Sequence, residues 1–143
     1  MTHKWGRRLF AAGAVVLLLL GLVHSLSLIG KQVPANDTER QLLDLMSNYK
    51  FNAMGSMRTM DNFLRGFSIT FLLSALSLGG LDLVLCRERD GLLKRVALVN
   101  VVWLAAMTAV SLRYFFILPT MFLVTALLIF ALAWLNLSSQ AES

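Results

Sequence analysis

Four long apolar stretches, separated by polar segments of unequal length, dominate the chain. The first, Leu9 to Gly30, holds no Asp, Glu, Lys or Arg. About 20 apolar residues rising about 1.5 Å each match a hydrocarbon layer about 30 Å thick, so this stretch predicts a membrane span. A second runs from Phe63 to Cys86, with Arg65 and Asp82 near its ends, where ionisable side chains reach toward an interface. The third extends from Val96 to Phe116, and the fourth restarts at Pro119 and runs to Leu137. Proline suits a helix's first turn, where its missing N–H has no intrahelical partner. Spans of about 9–30, 63–86, 96–116 and 119–137 therefore make one all-α membrane domain, residues 1–143, built as a four-helix bundle. Runs this long and continuously apolar favour helices over the alternating strands of a barrel.

The polar loop 31–62 carries its own pattern. Pro34-Ala35-Asn36-Asp37 breaks the chain, and Thr38-Glu39-Arg40-Gln41 fits a capping box, so a short amphipathic helix over about 38–50 is expected. Leu42, Leu45, Met46 and Tyr49 form its apolar stripe, which suits a helix lying along an interface. Gly55 is expected to supply a turn with positive φ. Beyond it, Arg58, Asp61 and Arg65 stand three and four apart, a spacing for an ion-pair ladder if this segment is helical. Asp61 also has the position of a cap on the second span.

Charge sets the orientation. The dense group Arg87, Arg89, Lys94 and Arg95, with Lys4, Arg7 and Arg8, places the amino terminus and the second turn inside. Opposite them stand Lys31, Arg40, Lys50, Arg58, Arg65 and Arg113, diluted by Asp37, Glu39, Asp44 and Asp61. Both termini are thus expected in the cytoplasm, with loop 31–62 outside. A rival reading makes the first span a cleaved signal peptide with Ser25-Leu26-Ser27 near the cleavage site, leaving three spans; Arg7-Arg8-Leu9-Phe10 resembles part of a twin-arginine signal.

Composition narrows the function classes. The chain is 57% hydrophobic and 15% charged, against about half and about a quarter in soluble domains, so it needs a solvent other than water. The net charge of +5 sits beside apolar runs, which fits anionic headgroups and not nucleic acid. A single cysteine, Cys86, excludes two-thiol chemistry within one chain.

Some residues go beyond hydropathy. Val23-His24-Ser25 late in the first span, Met46 and Phe51 in the loop, then Met54-Gly55-x-x-Arg58-Thr59-x-Asp61-x-x-x-x-Gly66-Phe67 form a pattern. It resembles an uncharacterised family of small bacterial four-helix integral membrane proteins with no assigned activity. The resemblance covers about the first 85 residues and implies a multi-pass protein of the bacterial inner membrane. Relatives tend to carry a second histidine a turn after the first, where this chain has Leu28 or a neighbouring apolar residue, so a two-histidine metal site is not carried over.

Candidate polar residues are His24, Arg58, Asp61, Arg65 and Asn100. An imidazole at depth is a candidate for proton transfer or headgroup binding, with a neutral interhelical hydrogen bond as the plain alternative. Arg58 and Arg65 suit a lipid phosphate. Gly66, Thr70 and Ser74, and Gly13, Gly21 and Ser25 with Leu17 between them, have the spacing of helix-packing seams. No nucleophile elbow, phosphate loop, H-E-x-x-H or C-x-x-C occurs, so no catalytic residue, metal or cofactor is assigned. With Asp82 placed near a helix end, proton-coupled exchange is disfavoured as well. The expected function is binding of membrane lipid or of a membrane partner, another protein or a second copy of the chain. The alternative is an intramembrane enzyme or small-molecule transporter with an outer cavity formed by His24, Arg58 and Asp61, which requires those side chains to converge on one pocket and fails if they are dispersed.

Overall fold

The computed structural model describes residues 2–30 and 32–138. It is helical except for one small hairpin: α1 (Thr2–Ile29), α2 (Asp37–Asn48), β1 (Phe51–Ala53), β2 (Ser56–Arg58), α3 (Met60–Leu85), α4 (Asp90–Tyr114) and α5 (Ile117–Asn136). Helices α1, α3, α4 and α5 are long and apolar enough to cross a membrane. Each begins before the apolar run that announces it. The basic residues Lys4, Arg7 and Arg8 are already helical in α1, and Asp90 to Arg95 form the first turns of α4. Pro119 sits in the first turn of α5, as its chemistry demands. Lys31 lies outside the described residues.

The loop differs from expectation in two places. Helix α2 starts at Asp37, because Asn36 and not Thr38 is its cap: Asn36 Oδ1 accepts from Glu39 N at 2.8 Å, and the Glu39 carboxylate accepts from Ala35 N at 2.7 Å. After α2 the chain forms an antiparallel hairpin, Phe51 opposite Arg58 and Ala53 opposite Ser56. Met54 (φ 51°) and Gly55 (φ 90°) make its two-residue turn, both left-handed as the tightest hairpins require. Asn52 Oδ1 accepts from Gly55 N at 2.8 Å and steadies it. Arg58 is therefore in a strand, not in a ladder at the start of the second span.

Helix α1 is the centre of the bundle. It packs along both α3 and α5, and α4 packs along α5, while α3 and α4 make no comparable contact with one another. Small residues set the close approaches. A Cβ on Gly79 would stand 2.9 Å from the Ala14 carbonyl oxygen, one on Gly21 2.9 Å from Leu76, and one on Gly13 2.7 Å from the Phe130 ring. Phe10 meets Phe130 edge-on at 5.4 Å, and Leu17, Leu20, Leu93, Leu104 and Leu123 complete the core. At one end Arg7 Nε donates to Asp90 Oδ1 at 2.7 Å and a second Arg7 nitrogen donates to the Glu88 carbonyl, tying α1 to the α3–α4 turn. At the other end the buried Ser111 and Thr120 hydroxyls share a hydrogen bond of 2.7 Å that closes the α4–α5 hairpin.

Candidate functional site

The open side between α3 and α4 is where the chain's polar groups and its free surface meet. Residues Asp90, Leu93, Ala97, Asn100, Leu104, Thr108 and Ser111 fall at helical spacing and form the buried stripe of α4. On α3 the buried positions are Ala75, Gly79 and Asp82. Asp82 is thus turned into the bundle, fully buried, and not toward an interface as its place near a helix end suggests. The close fit of Gly79 against α1 fixes this rotation, because it seats the face that carries Asp82 three residues later.

Asn100 is the residue that answers it. Its Nδ2 donates to Asp82 Oδ2 at 2.8 Å across the bundle. Asp82 Oδ1 has no hydrogen-bond partner, and no Lys or Arg among the described residues pairs with this carboxyl group. Beside the pair lies a groove of about 360 Å³, lined by Ser74, Ser77, Leu78 and Leu81 of α3 and Val99, Asn100 and Trp103 of α4. Asn100 is therefore a wall shared by the groove and the carboxyl group. The groove is apolar apart from the two serines and the amide, and its volume falls within the range of about 300–1,000 Å³ usual for small-molecule sites.

The remaining sequence candidates lie elsewhere. His24 meets Phe71 edge-on at 4.9 Å, and its buried Nε2 has no hydrogen-bond partner. Phe71 is ten residues along α3 from Asp61, about 15 Å at helical rise, so His24 and Asp61 sit at different levels. Asp61 Oδ2 accepts from Arg65 Nε at 2.8 Å, one rung of the expected ladder. The cap of α3 is Thr59, whose hydroxyl accepts from Asn62 N while the Asn62 side chain accepts from Thr59 N, a complete capping box. Arg58 is exposed and reaches only the Met57 carbonyl, at 3.0 Å. Of the five candidates, then, Asp61 and Arg65 pair with each other, Asn100 pairs with Asp82, and His24 and Arg58 stand apart from both.

The two proposed seams also divide. Gly13 and Gly21 are used inside the bundle and Ser25 donates to the Leu22 carbonyl of its own helix, whereas Gly66, Thr70 and Ser74 face outward, the Thr70 and Ser74 hydroxyls bonded to their own helix. That outward face leads along α3 into the groove at Ser74. No three His, Cys, Asp or Glu side chains among the described residues gather as a metal site. Neither protein-family models nor curated proteins nor solved structures show a match to this chain.

Proposed function

We propose that this chain is a polytopic integral membrane protein, with both termini on the cytoplasmic side, that holds a membrane lipid chain in the seam between α3 and α4. Four helices of sufficient length and apolarity support the membrane setting. The observation that carries the lipid is the seam itself: two helices consecutive in the chain leave a side-facing, apolar groove where the other helix pairs close.

Length favours a lipid chain over a partner helix. The groove runs along α3 only from Ser74 to Leu81, about 10 Å at helical rise, which is less than two turns of contact for a helix about 10 Å across. An extended hydrocarbon chain has no such demand. Its contact with Leu78, Leu81, Val99 and Trp103 replaces lipid with protein of similar polarity, so shape and dispersion, and not water exclusion, supply the affinity.

Filling the groove tests this. Ser74→Leu with Ser77→Leu places two bulky side chains in it, and native mass spectrometry of the detergent-purified protein should then show several-fold fewer lipid adducts. Thr125→Leu, on the exposed face of α5, should leave them unchanged. Equal retention by the groove-filled and wild-type proteins would sink the proposal.

A further inference from the structure

We infer that the seam selects amphiphiles with a positively charged amine head, recognised by Asp82 beside Asn100; this rests on the lipid-seam reading above.

The argument begins with an imbalance. A buried carboxylate is stable only when charge and hydrogen bonds answer it. Asp82 is fully buried, yet it receives a single donor, Asn100 Nδ2, and keeps Oδ1 without a partner. Two basic side chains at the same end are committed to other groups. Arg7 is held by Asp90 and Glu88, and Lys94 lies over the Trp134 ring at 5.9 Å. Among the described residues, then, the bundle builds an acceptor and no Lys or Arg forms an ion pair with it.

Two features of the groove complement a cation. Asn100, with its amide committed to Asp82 Oδ2, lies in the groove wall, so its side chain stands between a head group entering there and the buried Asp82 carboxyl group. Trp103 lines the same groove, and an indole face attracts ammonium groups better than other aromatic rings do. An ammonium carries three donors and no acceptor, which suits an oxygen that lacks a donor. The apolar walls take the hydrocarbon part, so both halves of an amine amphiphile are matched. An anionic head would meet Asp82 as a like charge and is disfavoured.

Dodecylamine and dodecanol, identical in chain and different in head, separate recognition of the head from occupation of the seam. Titrated into the detergent-solubilised full chain and followed by native mass spectrometry, dodecylamine should bind about tenfold more tightly, the effect of one charge-assisted hydrogen bond. Asp82→Asn, nearly the same in shape, should bring the two within about twofold by weakening the amine alone. Equal binding of both probes by the wild type overturns the amine inference and leaves the seam intact; binding of neither overturns the seam itself. If Asp82→Asn also loses dodecanol, Trp103→Phe provides a second comparison. It should narrow the amine preference while keeping dodecanol affinity, and an unaltered preference would count against the inference.

Discussion

Asn100 and Thr108 lie on the same buried stripe of α4, two turns apart, and their polar atoms have opposite situations. The Asn100 amide is the hydrogen-bond donor to a fully buried carboxyl group, whereas Thr108 Oγ1 is buried without a partner. Hydrogen bonds between membrane helices contribute about 0.6 kcal/mol on average and about 1.7 at most, but loss of the sole donor also leaves Asp82 with no partner on either oxygen. Asn100→Leu should therefore lower stability by about 2 kcal/mol in detergent unfolding. Thr108→Val removes a hydroxyl that bonds to nothing and should be neutral or slightly stabilising, so a larger loss at Thr108 than at Asn100 would refute this account. Asn100 is visible in the sequence as a lone amide in an apolar run. Its partner is not, because Asp82 is eighteen residues away on another helix and three residues from a helix end. Only the rotation of α3 against α1 decides whether such a residue meets water or the interior, and that rotation is a tertiary fact.

Helix α3 shows how an element is placed by its smallest residues. Gly79 and Gly80 are neighbours in sequence, but a Cβ on Gly79 would collide with the backbone of α1 while one on Gly80 meets open space. Alanine favours a helix over glycine by about 1 kcal/mol, so Gly80→Ala should raise the melting temperature modestly. Gly79→Ala must instead push α1 and α3 apart, which should lower it and disturb the position of Asp82; equal melting temperatures for the two variants would remove the close-approach argument. The existence of the long helices was legible from the length of their apolar runs. Their starts were not, since amphipathic turns such as Asp90–Arg95 continue a helix without adding to the run. The hairpin was invisible for a different reason: three-residue strands carry no period, and one of its two left-handed turn positions is Met54, a residue that gives no turn signal. Gly55 alone was readable.

At the scale of the whole molecule, the proposed membrane setting raises the question of which end of the bundle faces the cytoplasm. Arg7 binds the α3–α4 turn, and a Cβ on Gly6 would touch the backbone of Asn136, so the start of α1, the α3–α4 turn and the end of α5 share one end. Lys4, Arg7, Arg8, Arg87, Arg89, Lys94 and Arg95 therefore gather there, answered by Glu88 and Asp90. The opposite end spreads Arg40, Lys50, Arg58, Arg65 and Arg113 over α2, the hairpin and the outer helix ends, with Arg65 paired to Asp61 and Arg40 near Asp37 at 3.8 Å. Insertion follows the density of Lys and Arg close to the spans more than net charge, so the proposed topology has the Arg7 end inside. A cysteine scan in a Cys86→Ser background reads this directly. Ser56→Cys, in the hairpin, should react with a membrane-impermeant maleimide added to intact cells, while Glu88→Cys should react only after permeabilisation. The reverse pattern would invert the molecule, and it would place the seam's carboxyl end of α3 in the outer leaflet, changing which lipids can reach Asp82 but not the chemistry that meets them there.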